Sequence, residues 1–485
     1  MTSRITDKPL QLHSNPAHTL EKSSVSAPPE SQSFHWHGFT QMADFQNIVI
    51  ERAEGCWLTT TSGERLFDGV ASLWCNVHGH RNPKLDAAIR TQLDRVSHIT
   101  TLGMSADITD RLAERLAEVT PGDLKHVFFS SDGSSAVEAA LKMALQYWHL
   151  KHSATTPALE PSSTTTPTST SKTRYLALSS AYHGDTTGAV SLGGIKYFHQ
   201  LFAPIVFTPV RGPLPCSYRL PEGVHPDDAC DYYANEIESL LKQHHAELAA
   251  VVMEPLVQGA AGMITHPTGL LARIRELCDR YDVLLIVDEV ATGFGRTGRM
   301  FACDHEGVTP DILCMGKGIT GGYLPMAATI ARPHVFEAFL GKSSERKQFY
   351  HGHTFGGNPL AAAAAVASLD LFRDTNLTDT IDAKSQFLRE CLAPLANHPH
   401  VGDVRGRGLM VGIELVADRE SKMPFDSDRL IGRKVCERAT ELGAWIRPLG
   451  DVIVLMPPLV ASDDELRFLA NTVTQAIEEV LADID

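Results

Sequence analysis

The chain has 485 residues, more than one ordinary domain, and its 43% hydrophobic and 21% charged residues can bury a substantial core. The formal net charge of -15 at pH 7 argues against nucleic acid or an anionic membrane as the main partner, because both repel an acidic surface. No apolar run is long enough to span a bilayer. The nine cysteines are scattered along the chain, which is typical of reduced thiols in a cytoplasmic protein.

The chain divides by composition into segments of different character. Residues 1–33 are rich in Ser, His and Pro and lack the apolar core of a signal peptide, so we expect a disordered leader. Residues 152–172 consist mostly of Ser, Thr and Pro, which predicts a flexible surface insertion between a helix and a strand. We expect a large domain over 80–375, a smaller α+β domain over 376–485, and an N-terminal segment, 34–79, that packs with the small domain.

Short apolar runs alternate with helical patterns, which indicates an α/β fold with a mostly parallel sheet in the large domain. Four runs are typical of fully buried parallel strands: Val127–Phe129, Tyr175–Leu178, Val251–Met253 and Val283–Val287. Apolar residues at helical spacing predict helices over the stripe Val137–Trp148 and over Leu270–Cys278. Later patterns predict a helix over Leu377–Leu395, strands within Val401–Val416 and Ala444–Leu455, and a last helix from Asp463.

A turn that suits a phosphate group lies between the first predicted strand and its helix. In Ser131–Ser135, Gly133 permits close approach of the backbone, and Ser134 adds a hydroxyl donor. The free N–H groups at the start of the helix carry positive partial charge, so the turn can hold an anion. A plain helix cap with a glycine turn is the alternative, and the turn alone favours it.

Two residues that follow buried strands point to a cofactor with a pyridine ring. Asp288 ends the run Val283–Val287, at the strand end where α/β proteins bind ligands, and it can pair with a protonated ring nitrogen. Lys317 lies between two glycines after the apolar run Ile312–Met315, where burial can depress its pKa and make its amine nucleophilic. The alternatives are an aspartate that caps a turn and a solvated lysine.

Tyr182 and Arg447 complete the candidate residues. Tyr182, in Tyr182-His183-Gly184, could stack on a flat cofactor ring or pack at the edge of the core. Arg447, within the apolar segment Trp445–Pro448, suggests bidentate capture of a carboxylate, with a structural ion pair as the alternative. Cys75, His78 and His80 have the spacing of metal ligands, and His351 and His353 could add to them. A metal site is disfavoured, because no second clustered pair of cysteines occurs. No dinucleotide-binding glycine motif follows the first strand.

In this order, these motifs make the chain resemble the fold-type-I, class III aminotransferases. The segment Asp288–Gly298 followed by Gly316-Lys317 is highly specific for that class. The resemblance covers the chain from Phe34 to the C-terminus, except the Ser/Thr insertion. Within the class the chain is similar to the 7,8-diaminononanoate synthases of biotin biosynthesis, which aminate 8-amino-7-oxononanoate. The matching stretches are Trp74–His80, Ala144–Trp148, Tyr182–Thr186, Val257–Met263 and Trp445–Gly450.

The resemblance implies pyridoxal 5'-phosphate (PLP) as the cofactor and a role for each matching residue. Lys317 would form the Schiff base with PLP and shuttle the proton, Asp288 would hold the ring nitrogen, and Tyr182 would stack on the ring. The resemblance also implies a homodimer with its active sites at the interface and no metal. The cofactor phosphate would be held by Gly133, Ser134 and, from the neighbouring subunit, Thr354; the substrate pocket would be lined by Phe39, Trp74, Tyr182, Gly352 and Arg447.

Three positions bear on the substrates. Ornithine and γ-aminobutyrate aminotransferases carry a glutamate at the position of Ala260, and without that acid Arg447 stays available for a carboxylate. Phe39 and His353 resemble the branch that uses L-lysine as amino donor rather than S-adenosylmethionine. Members that use S-adenosylmethionine often have a tyrosine at the position of Phe39, but the loss of its hydroxyl removes a hydrogen bond of only about 1 kcal/mol, so both donors stay open.

The alternatives to this function are another class III ω-amino-acid aminotransferase, a PLP aminomutase or racemase, and a non-catalytic PLP-binding homologue.

Overall fold

The computed structural model describes residues 34–45, 47–155 and 172–482. The chain divides into two compact units, Met1–Val49 and Ile50–Asp485. In the first unit a short 3-10 helix spans Met42–Asp44, and the ring of His37 lies 4.4 Å from the ring of Phe45. The predicted leader, 1–33, and residues 156–171 of the predicted insertion lie outside the described residues.

The second unit contains strands that form four sheets. In chain order they are β1 (Ile50–Glu54), β2 (Trp57–Thr60), β3 (Arg65–Asp68), β4 (His126–Ser130), β5 (Arg174–Leu178), β6 (Val210–Gly212), β7 (Leu248–Met253), β8 (Val257–Gln258), β9 (Ile264–Thr265), β10 (Leu284–Asp288), β11 (Ile312–Met315), β12 (Ala327–Ala331), β13 (Val401–Arg407), β14 (Met410–Leu415), β15 (Ala444–Trp445), β16 (Arg447–Leu449) and β17 (Val452–Leu455).

Helices alternate with these strands. The α-helices of regular right-handed geometry among the described residues span Pro83–Leu93, Asp107–Val119, Gly133–Thr155, Thr187–Leu192, Lys196–His199, Ala229–His244, Leu270–Arg280, Pro333–Glu337, Pro359–Thr375, Ile381–Leu392, Ile431–Glu441 and Asp463–Ala482. The helices predicted after Ser134, at Leu270 and from Asp463 are confirmed. The segment predicted as one helix from Leu377 to Leu395 is a helix over Ile381–Leu392 with a 3-10 turn at each end.

The central sheet has seven strands in the order β4-β12-β11-β10-β7-β5-β6. The strands from β11 to β6 are all parallel, whereas β12 runs antiparallel to both β11 and β4. The α/β fold with a mostly parallel sheet is therefore confirmed. Because β5, β7, β10 and β11 run in one direction, their carboxyl ends meet at the same edge of the sheet.

Both faces of the central sheet are covered, which explains the continuous apolar runs in the sequence. Along β10, Leu285 and Val287 pack into one hydrophobic cluster, and Leu284 and Ile286 pack into another on the opposite face. The prediction of a fully buried strand is wrong for Val127–Phe129, which is only half-buried. The reason is its place in β4 at the edge of the sheet, where its hydrogen-bonded neighbour, β12, is antiparallel.

One of the remaining sheets combines strands from the two ends of the second unit. β1, β2 and β3 form a sheet with β15, in which β3 pairs with this strand from the C-terminal part of the chain. The strands predicted within 401–416 form the hairpin β13–β14, and the segment predicted at 444–455 is divided into β15, β16 and β17. The boundary expected after residue 375 stays a prediction. No helix among the described residues is long and apolar enough to cross a membrane.

Candidate active site

Three of the candidate residues and one further acid lie at the carboxyl ends of adjacent strands. Lys317 follows β11, Asp288 ends β10, Glu254 follows β7 and Tyr182 lies four positions beyond β5. The spatial order of these strands, β11-β10-β7-β5, places the residues side by side along one edge of the sheet. Glu254 has no role in the prediction, although it satisfies the same criterion as Asp288, an acid at the end of a buried strand.

The amine of Lys317 lies against an aromatic ring and forms an ion pair with neither of the two nearby carboxylates, Asp288 and Glu254. Its Nζ is 4.5 Å from the centre of the Trp74 ring, and no hydrogen bond or ion pair of this amine exists within the described part of the chain. The backbone of Lys317 has a φ of 42°, at the start of a 3-10 turn. Burial lowers the pKa of Lys317, although the negative charges of Asp288 and Glu254 oppose the shift. A neutral amine here is nucleophilic.

Asp288 is held in place by a histidine. Its side chain is buried, and its Oδ2 lies 2.8 Å from Nδ1 of His183, whereas Oδ1 accepts a 3.0 Å hydrogen bond from the backbone N–H of Val290. The other ring nitrogen of His183 is buried without a partner in the described structure. His183 belongs to the predicted Tyr-His-Gly motif, but the sequence does not show that it contacts Asp288.

The predicted phosphate turn forms the start of the helix Gly133–Thr155. Asp132 caps this helix by accepting hydrogen bonds from the backbone N–H and the hydroxyl of Ser135, at 2.9 and 2.8 Å. The hydroxyl of Ser134 accepts a 3.1 Å bond from the N–H of Asp185, which leaves its own proton available for a ligand. The capping alternative therefore describes Asp132 and Ser135, whereas Gly133 and Ser134 remain accessible to an anion.

Two glycines keep this turn open. A Cβ on Gly133 would lie 2.6 Å from Cγ1 of Val290. Gly184 has a φ of +115°, and a Cβ there would lie 2.7 Å from the Cβ of Ser134 and overlap its hydroxyl. Only glycine fits at these positions, so the backbone can approach a ligand closely.

Tyr182 is held at both of its ends. Its backbone N–H donates to Oε1 of Glu254 at 3.1 Å, and its hydroxyl donates to Asp185 at 2.8 Å. Burial and the hydrogen bond to Asp185 raise the pKa of the Tyr182 hydroxyl, so it stays neutral. The ring therefore has a fixed orientation beside Asp288, which suits stacking on a flat cofactor.

Glu254 connects two walls of the site. Its side chain is buried, and besides Tyr182 it accepts a 2.9 Å hydrogen bond from the backbone N–H of Gly259. Burial raises the pKa of this carboxyl to about 7. Gly259 packs closely against Trp74, since a Cβ on Gly259 would lie 3.2 Å from the indole ring. The same carboxylate thus positions the Tyr182 backbone and the segment that supports Trp74.

Arg447, at the start of β16, is half-buried, and its guanidinium has no hydrogen bond or ion pair with any described residue. The structural ion pair considered from the sequence is therefore absent from residues 34–45, 47–155 and 172–482. Ala260 is also half-buried and brings no acid. An unpaired guanidinium at a half-buried position is suited to bind a carboxylate ligand.

Three predicted site residues lie on other segments of the chain. Phe39 belongs to the first compact unit and is 66% exposed. Gly352 and Thr354 are exposed on the segment before the helix Pro359–Thr375, and no hydrogen bond links either residue to Lys317 within the described residues. Their roles in the site stay predictions.

The histidines of the metal alternative have other partners. Nε2 of His78 lies 3.0 Å from the hydroxyl of Ser368, and Nε2 of His80 lies 3.0 Å from Asp68. The described residues contain no group of three potential ligands that could hold a metal ion. His78 and His80 thus each contact a polar side chain of the fold.

Comparison with known proteins gives the class to which this chain belongs. Residues 40–477 match the family model of class III aminotransferases, so the chain is a member of that family. Its relatives include proteins named adenosylmethionine-8-amino-7-oxononanoate aminotransferase. One from Nitratidesulfovibrio vulgaris is 50% identical over 91% of this chain and 80% of the relative. One from Geobacter sulfurreducens is 47% identical over 92% of this chain and 96% of the relative.

Solved structures agree with this assignment. The adenosylmethionine-8-amino-7-oxononanoate aminotransferase from Methanocaldococcus jannaschii is 40% identical, with a TM-score of 0.83, over 93% of this chain and 97% of that one. A PLP-bound amine transaminase from an uncultivated Pseudomonas species is 34% identical, with a TM-score of 0.85, over 93% and 99% of the two chains. The fold is therefore the fold-type-I aminotransferase fold.

Class III aminotransferases depend on PLP, which is therefore the cofactor of this enzyme. Three features of the structure fit PLP. Lys317 offers an amine without a hydrogen-bond partner among the described residues, the phosphate turn has no room for a Cβ at Gly133 or Gly184, and Asp288 presents a buried carboxylate held by His183. When bound, PLP supplies an electron sink for the substrate.

The clash at Gly184 predicts a specific loss of cofactor affinity. Replacing Gly184 with Ala displaces Ser134 and should weaken PLP binding about tenfold or more, equivalent to ~1.4 kcal/mol. The measurement is a titration of the apoenzyme with PLP, followed by visible absorbance. Gly223→Ala is the matched control, since Gly223 has a φ of +80° but nothing within 4 Å of its Cβ position. Equal loss of affinity in the two variants would contradict the role of the phosphate turn in binding PLP.

The depressed pKa of Lys317 predicts the pH dependence of cofactor capture. Because only the neutral amine reacts, the rate at which the apoenzyme captures PLP should rise with pH and level off below pH 10.5, the ordinary pKa of a lysine amine. Stopped-flow absorbance at a series of pH values measures this rate. With N-acetyl-lysine in place of the apoenzyme the rate should still rise at pH 10.5. A plateau at the same pH for both would refute the prediction.

Proposed function

We propose that the enzyme aminates 8-amino-7-oxononanoate to 7,8-diaminononanoate in biotin biosynthesis. The observation that carries this proposal is the unpaired guanidinium of Arg447, which suits a keto acid whose carboxylate lies far from the reacting carbonyl. Six relatives that are 40–50% identical bear the name of that activity. Ala260 supports the proposal, because it supplies no acid to neutralise Arg447.

The residues of this chain act as follows in the proposed reaction. The amine of Lys317 holds the cofactor and then moves the proton between substrate carbon and cofactor. Asp288, oriented by His183, keeps the ring nitrogen protonated. Tyr182 stacks on the ring, and its bond to Asp185 fixes the angle of the aromatic plane.

The other predicted residues bind the two ends of the ligands. Gly133 and Ser134, with Thr354 from a neighbouring subunit, hold the phosphate of the cofactor. Phe39, Trp74 and Gly352 line the pocket for the acceptor's chain. Arg447 binds the distant carboxylate, so the keto group is held at the amine of Lys317.

The amino donor is S-adenosyl-L-methionine or L-lysine. The names of the 40–50% identical relatives support adenosylmethionine, whereas Phe39 and His353 support lysine. Both donors carry an α-amino group, so the same lysine serves either donor.

The test is a conversion assay on the purified holoenzyme with 8-amino-7-oxononanoate and each donor in separate arms. We expect 7,8-diaminononanoate in at least one arm and none with Lys317→Ala. Product in neither arm, with no spectral change on adding either donor, would refute the proposed acceptor and leave the ω-aminotransferase activity named for a 33% identical relative from Caulobacter vibrioides. Conversion without any added donor would indicate an aminomutase.

The role of Arg447 is tested with a matched pair of acceptors. A bidentate charge-assisted contact is worth about 2 kcal/mol, so the enzyme should prefer 8-amino-7-oxononanoate over its methyl ester by roughly 30-fold in kcat/KM. Arg447→Met should reduce this preference to less than about threefold by lowering kcat/KM for the acid only. An unchanged preference in that variant would show that another group binds the carboxylate.

We further propose a cytoplasmic homodimer with active sites at the interface, built from the large and small domains expected on either side of residue 375. The free state of all nine cysteines supports a reducing compartment. An apolar patch supports the dimer: Leu102, Met104, Tyr350 and Phe355 are 56–67% exposed, and Leu102 is next to Gly352. Thr354 lies in the same segment, so a partner that covers this patch would also enclose Thr354.

Introducing a charge into this patch should separate the subunits. Leu102→Glu is expected to sediment as a monomer and to bind PLP more weakly, because Thr354 no longer reaches a neighbouring site. Leu201→Glu is the control, since Leu201 is 83% exposed elsewhere on the surface. Analytical ultracentrifugation with a PLP titration measures both effects. A wild-type monomer at micromolar concentration would refute the proposal.

A further inference from the structure

The segment Ala71–Trp74 forms one turn of left-handed helix. Its four residues have φ values of 48°, 49°, 73° and 72°, and none of them is glycine. The backbone N–H groups of Trp74 and Cys75 donate to the carbonyls of Val70 and Ala71, at 2.7 and 3.0 Å. A left-handed conformation costs roughly 1–2 kcal/mol for each such residue, so the surrounding structure must hold this turn in place.

The carboxylate of Asp68 holds the turn from inside the protein. Asp68 has no exposed surface, and it accepts hydrogen bonds from the backbone N–H and the hydroxyl of Ser72, at 2.8 and 2.7 Å. Nε2 of His80 lies 3.0 Å from Oδ2 of the same carboxylate. Asp68 thus fixes both the middle of the left-handed turn and the segment that follows it.

The position of Asp68 is itself determined by strand pairing. Asp68 ends β3 and is opposite Trp445 in the parallel pair with β15. The next residue, Gly69, donates its N–H to the carbonyl of Trp445 at 3.0 Å. Arg447 follows Trp445 by two residues. The left-handed turn and the arginine proposed to bind a carboxylate therefore both lie next to the pairing of β3 with β15.

The turn has a direct consequence for the reacting amine. Trp74 is its last residue, is 9% exposed, and presents its ring 4.5 Å from Nζ of Lys317. A right-handed conformation at Ser72 would break the two hydrogen bonds to Asp68 and turn the indole away from its place. The ring position therefore depends on the left-handed turn.

We propose that Asp68 is a positioning residue for the aminotransferase reaction, which acts by locking the left-handed turn and so placing the Trp74 ring against the amine of Lys317. The inference rests on the proposed function only in the choice of substrate. The side-chain partners of Asp68 among the described residues are Ser72 and His80, so we infer that its effect on the reaction passes through Trp74.

The test is a double-mutant cycle on the PLP-loaded holoenzyme, with Asp68→Asn, Trp74→Leu and the double variant. A displacement of about 1 Å in an active site can cost about 100-fold, so we expect Asp68→Asn to lower kcat/KM about 100-fold. In the Trp74→Leu background the same change should cost less than about threefold, because its target is gone. Independent, multiplying losses would overturn the proposal.

A second readout needs no substrate. The visible absorbance of the holoenzyme titrates with pH because the cofactor is joined to Lys317, so its midpoint reports on the surroundings of that nitrogen. The midpoint should shift in the same direction in Asp68→Asn and Trp74→Leu, and no further in the double variant. Ser72→Ala, which removes only the hydroxyl bond, should give a smaller shift of the same sign. An unchanged midpoint in Ser72→Ala and Asp68→Asn would overturn the proposal.

Asp311→Asn is the matched control. Asp311 is also buried and accepts hydrogen bonds from Arg275 and from the backbone N–H of Leu285, at 2.8 and 2.7 Å. We expect Asp311→Asn to keep kcat/KM within about twofold of the wild-type value. Its spectral midpoint should equal that of the wild type. Equal losses in Asp311→Asn would show a general effect of removing a buried carboxylate and would overturn the proposal.

If the wild type does not aminate 8-amino-7-oxononanoate, the proposed function fails. The spectral midpoints of the four variants, which need no substrate, still decide the role of Asp68.

Discussion

The amine of Lys317 lies near two buried carboxylates and forms an ion pair with neither of them. At 4 Å, a pair of opposite charges attracts by about 4 kcal/mol at an effective dielectric constant of 20, enough to keep a lysine protonated. The structure prevents that pairing by engaging each carboxylate elsewhere. Asp288 contacts His183 and the N–H of Val290, and Glu254 accepts two backbone N–H groups. The amine can therefore lose its proton.

The parallel sheet makes this arrangement possible. Four adjacent strands end at one edge, and each delivers one polar residue to a site whose walls are otherwise apolar. The backbone groups beyond the strand ends are free to bind these side chains, since they have left the sheet ladder. Charged groups can then lie within a few ångströms of each other in fixed positions, which preorganises the site before a ligand arrives.

The sequence predicts the parts of this structure that follow from local chemistry. Asp288 and Lys317 can be found because each directly follows an apolar run, and the same rule applies to Glu254, which the prediction missed. His183 could not be assigned, because its contact with Asp288 joins residues 105 positions apart. The edge position of β4 depends on which strand lies beside it, and the half-buried Val127–Phe129 gives no sign of this.

The left-handed turn could not be predicted either. Glycine or asparagine usually indicates such a backbone, but Ala71–Trp74 contains neither. What stabilises the turn is a carboxylate four residues away and a strand nearly 380 residues further along, and both contacts exist only in the folded chain. The roles of Phe39, Gly352 and Thr354 come from the resemblance to the family alone, and they stay predictions.

The strained turn has a consequence for attempts to make the enzyme more heat-resistant. Glycine at Ser72 or Leu73 would relieve a left-handed backbone at about 1 kcal/mol per position, a change that selection for melting temperature alone would favour. Glycine at Leu73 keeps the left-handed backbone and both hydrogen bonds from Ser72 to Asp68, whereas glycine at Ser72 loses the hydroxyl bond to that carboxylate. Thermal screening is therefore expected to favour glycine at Leu73 over glycine at Ser72, because only the change at Leu73 relieves the backbone without the loss of a hydrogen bond to Asp68.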